Sequence, residues 1–284
     1  MPTTDRRRIL SRRRFLAFGA AGLAAAGLAD TLWIEPHGVR VEELALPTGQ
    51  HGRPVRLVQI SDLHLEAFDS YFQQVAELVN GLSPDLIVLT GDYLEEERNI
   101  RAVLDFLRQL RAPQGVYAVQ GNWEYWSRLE GENLRRHFLG TGVRLLINER
   151  ADLEINGQQL SLLGLDYPSS SDQLRRLQEQ ADPARFNLLL SHVPGFAHEQ
   201  LERYIGLILC GHTHGGQVRL PLLPPLYLPR YSGRFVAGLY QVGRYGTLLY
   251  VTRGIGTSVL PVRLNCRPEI TVITLNGIKD EGNL

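Results

Sequence analysis

Val55-Arg56-Leu57-Val58-Gln59-Ile60-Ser61-Asp62-Leu63-His64 holds the pattern on which the fold turns. A short, nearly continuous apolar run, the mark of a strand buried on both faces, stops and hands over to polar residues able to bind metal. Four later stretches repeat the pattern. Leu86 to Thr90 ends in Gly91-Asp92, and Val116 to Gln120 ends in Gly121-Asn122. Asn187 to Leu190 ends in Ser191-His192, and Leu207 to Cys210 ends in Gly211-His212-Thr213-His214. Ligand sites in open α/β sheets form outside the carboxyl ends of the strands. These ends offer two Asp, one Asn and four His, more than one transition metal needs. Spread over two metals, with one carboxylate shared, they fit a dinuclear hydrolytic site. Taken singly, an Asp after a strand caps a turn and a lone His is an ordinary hydrogen-bonded residue. Five coincidences in one register set those readings aside.

The surrounding pattern predicts alternating strands and helices. Val39 to Leu46 and Val55 to Ile60 read as strands around a Gly49–Gly52 turn. Tyr71 to Leu82, Ile100 to Leu110, Glu132 to Phe138, Gln173 to Gln180 and Phe196 to Tyr204 have helical spacing. Val143 to Ile147, Leu153 to Ile155 and Leu160 to Leu165 read as further strands, the last two joined by an Asn156-Gly157 hairpin. From Leu248 onward the pattern is mostly strand. Helices between strands in the first half, then mostly strands, indicate a layered α/β fold with a mixed sheet or two sheets.

The chain has 284 residues and no internal repeat, which favours one domain over residues 30–284. Its formal net charge is zero, which argues against an electrostatically driven nucleic-acid partner. The balance hides an asymmetry. Arg6, Arg7, Arg8, Arg12, Arg13 and Arg14 crowd the first 29 residues, and the remainder carries 24 basic and 29 acidic residues, a net charge of −5. Ser11-Arg12-Arg13-Arg14-Phe15-Leu16 precedes an apolar, Ala/Gly-rich run to Ala29. That is the layout of a secretory signal, and it resembles a twin-arginine export signal. The alternative is a retained membrane anchor, although the run is shorter than the roughly 20 residues of a spanning helix. Either way the body is expected outside the cytoplasmic membrane, after handling by the twin-arginine machinery. Cys210 and Cys266 are the only cysteines, and Cys210, ending an apolar run, is expected as a buried thiol rather than half of a disulfide.

With Asp62-Leu63-His64, Gly91-Asp92, Gly121-Asn122-Trp123-Glu124, His192 and Gly211-His212-Thr213-His214, the chain resembles the calcineurin-like metallophosphoesterases over roughly residues 55–275. Gly211 to Gln217 and Arg253 to Ser258 are similar to an exported bacterial phosphodiesterase branch related to the UDP-2,3-diacylglucosamine hydrolases. Protein Ser/Thr phosphatases follow Gly-Asp with Val-Asp-Arg-Gly, whereas Tyr93-Leu94-Glu95-Glu96 stands here. The resemblance implies an α/β/β/α sandwich of two mixed sheets flanked by helices, with the metals at the strand ends. It implies that Asp62, His64 and His214 hold the first divalent metal, and Asn122, His192 and His212 the second. Asp92 would bridge them, and Asp92, Asn122 and His212 would take part in catalysis. The metals would activate water and neutralise phosphate oxygens. Mixed nitrogen and oxygen donors suit Mn, Fe or Zn.

Two features bear on the substrate. The family has His where Trp123 stands, and an indole N–H donates a hydrogen bond but delivers no proton near neutral pH. Trp123 is then either packing beside Tyr125 and Trp126, or the mark of a substrate whose leaving group needs little help, such as a phosphoanhydride. Arg219 to Arg234, rich in Leu and Pro, cannot be a regular helix. It is either a connector or an apolar wall for acyl chains, with Arg230 or Arg234 reaching a phosphate. The expectation is a phosphodiesterase or pyrophosphatase acting on a phosphorylated, lipid-linked or nucleotide-diphosphate substrate at a membrane surface. The alternatives are a broad phosphomonoesterase and a metal-loaded phospholipid-binding protein without turnover.

Overall fold

The computed structural model describes residues 27–198, 201–202 and 204–278, together with positions 12, 13, 16, 19 and 22. The twin-arginine reading rests largely on residues outside that set.

Two six-stranded sheets form the centre. The first has the order β1 (Arg40–His51), β12 (Glu269–Ile278), β2 (Val55–Ile60), β3 (Leu86–Thr90), β4 (Val116–Val119), β5 (Val143–Leu145). The second runs β10 (Gly238–Val242), β11 (Thr247–Val251), β9 (Ile205–Cys210), β8 (Phe186–Leu190), β7 (Gln158–Gly164), β6 (Glu149–Ile155). Helices α1 (Ser70–Gly81), α2 (Ile100–Leu107) and α4 (Gly131–Phe138) belong to the first half of the chain, and α5 (Ser171–Gln178) follows β7.

The strand runs are apolar throughout because both faces are covered. Along β3, Leu86 and Val88 enter the core between the sheets, whereas Ile87 and Leu89 meet Val75, Val79, Val103 and Phe106 of α1 and α2. Along β9, Leu207 and Leu209 face the same inter-sheet core, and Ile208 and Cys210 join Leu174 and Leu177 of α5. Period two distributes each strand between two cores, and the chain stacks as helix, sheet, sheet, helix. β2, β3 and β4 are parallel, as are β8 and β9, so within each sheet their carboxyl ends share one edge.

Several boundaries differ from expectation. β1 does not pair with β2. The antiparallel β12 lies between them, parallel to β1, so the Gly49–Gly52 turn closes no hairpin. The Asn156-Gly157 turn does, with φ of 55° and 88°. The segment expected as a helix from Phe196 begins as a 3₁₀ turn over Gly195–His198, and residues 199, 200 and 203 lie outside the described set. Among the described residues after Leu248, only β11 and β12 are strands. Between them, residues 252–268 form an irregular loop around Arg263, whose buried guanidinium donates to the carbonyls of Arg253, Gly254, Gly256 and Cys266. The short helix α3 (Asn122–Trp126) and strand β10 were not expected. Both cysteines are free and buried.

Candidate metal centre

All seven ligand-type residues come together at the sheet ends. Oxygen and nitrogen atoms of Asp62, His64, Asp92 and His214 lie within 4.8 Å of one another, and so do those of Asp92, His192 and His212. Asp92 belongs to both groups. Asn122 joins the second, its Oδ1 standing 3.1 Å from His192 Nε2.

The backbone is bent to achieve this. Asp62, His64, Asp92, His212 and His214 all have positive φ, between 44° and 74°. L-residues visit that region at a cost on the order of 1 kcal/mol each, and such strain concentrates where function demands a particular side-chain direction. Glycine precedes three of the ligand loops because there is no room for more. A Cβ on Gly121 would lie 2.3 Å from Asp92 Oδ1, and one on Gly211 would lie 2.2 Å from Asp62 Oδ2.

Three of the four imidazoles are held from behind, whereas the buried His214 Nδ1 has no hydrogen-bond partner among the described residues. His192 Nδ1 sits 2.7 Å from the Thr90 carbonyl, His212 Nε2 2.6 Å from the Arg230 carbonyl, and His64 Nδ1 2.9 Å from Glu95 Oε1. A carbonyl or carboxylate accepts only, so these nitrogens carry the proton and the opposite ones point into the cluster. There they face each other in pairs: His64 Nε2 and His214 Nε2 at 3.1 Å, and His192 Nε2 and His212 Nδ1 at 3.1 Å.

Charge within each pair is uneven. For His192, burial opposes protonation, but Asp92, with Oδ2 at 3.1 Å, outweighs it and raises the pKa to about 9. Burial and the charge of His192 push its partner His212 down to about 4. His64 repeats the rise, because Glu95 and Asp92 overcome burial, and burial with His64 holds His214 well below the usual range. Asp92 is held well below ordinary carboxylates because the surrounding histidines outweigh burial, whereas burial raises Asp62. Each facing pair thus favours positive charge in a place suited to a cation. Two nitrogens on one metal at about 2.0–2.1 Å are themselves about 3 Å apart, the spacing seen here. The donor set fits two transition metals.

Two residues without an assigned role in the sequence reading support this arrangement. The buried Glu124 carboxylate accepts from Gly121 N at 2.7 Å, Asp92 N at 3.0 Å and Tyr93 N at 2.7 Å. It clamps the loops after β3 and β4 together, and burial with the neighbouring Asp92 pushes its pKa up to about 7. Its place in the Gly-Asn-x-Glu motif was the available signal. Glu95, which orients His64 from 31 residues away, left none.

Of the three residues expected at the substrate, Trp123 and Arg230 lie beside the centre, and no contact joins Arg234 to it among the described residues. Half-buried Trp123 donates its backbone N–H to Asp92 Oδ1 at 2.9 Å and sets its ring edge-on to His64 at 5.9 Å. It also packs on Trp126 at 5.0 Å, so it is both aromatic packing and a neighbour of the centre. Arg230 is exposed, with its guanidinium 5.6 Å from the Tyr231 ring, and Arg234 lies likewise over Phe235. Tyr167 bridges Tyr231 and His192, 6.4 Å from each ring.

A family model described as calcineurin-like phosphoesterase matches residues 55–216. YkuE of Bacillus subtilis, described as an uncharacterized metallophosphoesterase, is 33% identical and aligns over 94% of this chain and 98% of its own length. The phosphodiesterase YaeI of Escherichia coli is 31% identical over 94% of this chain and 100% of its own. Among solved structures, the NAD nucleotidase of Haemophilus influenzae matches 72% of this chain and 46% of its own with a TM-score of 0.50. At 13% identity that likeness concerns the fold alone.

Proposed function

Because the chain belongs to the calcineurin-like phosphoesterase family, we propose that this metal-dependent hydrolase cleaves a phosphodiester or phosphoanhydride bond of a lipid-linked or nucleotide-diphosphate substrate. The observation that carries the reading is the sharing of Asp92 between two convergent ligand groups. In this reading Asp62, His64 and His214 hold one cation, Asn122, His192 and His212 the other, and Asp92 both. Two bound divalent ions would polarise the phosphoryl group and lower the pKa of water.

The chain's own groups do the positioning. Thr90, Arg230 and Glu95 fix three imidazole tautomers, and Glu124 keeps Asp92 and Asn122 in register. Tyr167 and Tyr231 wall one side, and the Arg230 guanidinium beside them is free to meet a phosphate oxygen. At the position of Trp123 no side chain delivers a proton to a departing alkoxide. That favours substrates whose leaving group is already stabilised. Mn, Fe or Zn as the metal, and kinship with the exported phosphodiesterase branch related to the UDP-2,3-diacylglucosamine hydrolases, belong to the same proposal.

The test compares kcat/KM on a phosphoanhydride and on an alkyl phosphodiester, in the wild type and in Trp123→His. A general acid contributes about 10²–10⁴-fold where the leaving group is poor. The wild type should favour the anhydride, and the variant should gain on the alkyl ester more than on the anhydride. An unchanged ratio in a folded variant would reduce Trp123 to packing and remove the argument for an anhydride.

The proposal places residues 30–284, as one catalytic unit, on the outer side of the cytoplasmic membrane after twin-arginine export. Replacing Arg12, Arg13 and Arg14 by Lys keeps the charge, so export should fail only if the arginine pair itself is recognised. Normal export of the triple variant, followed by cell fractionation, would exclude that route.

A further inference from the structure

The loop that leaves the metal centre is uncovered. Leu220, Leu222, Leu223, Leu226 and Tyr227 are all exposed, Leu222 completely, at 104%. Prolines 221, 224 and 225 stand among them, and Gly216 backs onto Pro225, with no room there for a Cβ. A second loop is stitched alongside. Gln217 Nε2 donates to the carbonyls of Ser258 at 3.2 Å and Leu260 at 2.8 Å, and Arg219 N donates to the Leu264 carbonyl at 2.8 Å. This second loop turns out Val259 and Leu260. A third piece adjoins it: Arg263 N donates to the Thr31 carbonyl at 3.1 Å, and Cys266 N to the Glu35 carboxylate. Between those contacts Trp33 and Ile34 point outward, 63% and 59% exposed.

Charge selects the occupant. No acidic residue lies between Glu202 and Glu269, and eight arginines do, in a chain whose body is otherwise acidic. Arg253 is paired with Glu42 and Glu269, and Arg263 is buried, but Arg230 and Arg234 are exposed. Exposed leucines on an irregular, Pro-rich loop, tyrosines at its base and exposed arginines in a stretch of sequence free of acids suit the boundary between lipid headgroups and acyl chains. Trp33 and Ile34 also follow, within a few residues, the apolar sequence Phe15 to Ala29.

We infer that the loops 217–234 and 256–264, together with Trp33 and Ile34, dock the folded body onto an anionic phospholipid surface. The docking stands on the exposed side chains and their charge. Its consequence for the substrate rests on the reading above. The same loops rim the metal centre, since the Arg230 carbonyl holds His212, and Glu95, which holds His64, also bonds Ser258 and the Val259 backbone. The docked centre opens at headgroup level, where a lipid phosphate is reached without leaving the bilayer.

Because Cys210 and Cys266 are buried, a thiol-reactive, polarity-sensitive dye reports on an introduced cysteine alone. Full-length Leu222→Cys and Leu139→Cys, both exposed positions, are labelled and mixed with phosphatidylcholine vesicles with and without a quarter of phosphatidylglycerol. The dye at position 222 should shift to the blue with the anionic vesicles, less with the neutral ones, and less again at high salt. The dye at position 139 should not move. Unlabelled Leu222→Ser/Leu223→Ser/Leu226→Ser should lose more than about tenfold in vesicle partitioning at an unchanged melting temperature. Three results overturn the inference: no shift at 222, equal shifts at 222 and 139, or a shift that follows protein concentration instead of lipid. None of these readouts requires turnover, so they separate the docking from the proposed chemistry.

Discussion

Asp92→Asn is expected to abolish turnover while leaving the fold intact. Its Oδ2 is 3.1 Å from His192 Nε2 and 3.7 Å from His64 Nε2, and its Oδ1 accepts the Trp123 N–H at 2.9 Å. An amide can keep the last contact, so the α3 turn and the loop after β4 stay in place. What it loses is the negative charge between the two ligand groups, and it turns an N–H₂ toward the cations they would hold. The rate should fall by at least about a hundredfold, the scale on which single charge-stabilising groups act in active sites. Metal content should fall with it. Asn122→Ala, which removes a neutral ligand from one group only, should cost less. A variant keeping more than about a tenth of the wild-type rate, a barrier change near 1.4 kcal/mol, would mean that Asp92 is not shared.

Gly121→Ala adds one methyl group and should be nearly as damaging. Gly121 has φ −108° and ψ −166°, an extended conformation open to any L-residue, so backbone freedom is not at issue. Space is. The new Cβ would lie 2.3 Å from Asp92 Oδ1, 2.7 Å from Asp92 N and 2.9 Å from His192 Cε1. Two of those neighbours belong to ligand side chains and one to the backbone that orients them, so none yields cheaply. Overpacking of this kind costs about 1–3 kcal/mol and should lower Tm by a few degrees. A ligand displaced by about 1 Å costs on the order of 10²-fold in rate, so activity and metal content should fall further than stability. Gly81→Ala, where nothing lies within 4 Å, is the control. Wild-type kcat and metal content in Gly121→Ala would show that these loops are not held in contact.

The two predictions draw unequally on sequence and structure. That Asp92 is a candidate ligand was legible, because β3 is buried on both faces and its continuous apolar run ends abruptly at Gly91-Asp92. The same logic located His192 and His212, since β8 and β9 lie parallel in one sheet. The sandwich was legible too, from helices alternating with such runs. Pairing across the sheet was not. β12 separates β1 from β2 although more than 200 residues separate it from either in sequence, and no local pattern encodes so distant a register. The left-handed backbone at five candidate ligands was equally hidden, because Asp and His tolerate positive φ better than most residues but do not require it. Glu95 reached His64 across 31 residues without a motif. The irregular 252–268 loop read as strand, because nothing local marks Arg263 as buried with its guanidinium on four carbonyls that a strand would give to a neighbour.

The central claim is that one carboxylate joins two metal sites in a single chain. Elemental analysis of the protein purified from metal-replete cells tests it most directly, read together with the activity of the same sample. Asp62, His64, Asp92 and His214 on one side, with Asp92, His192 and His212 on the other, predict close to two transition-metal ions per chain. A reproducible value at or below one ion per chain, in fully active protein, would contradict it.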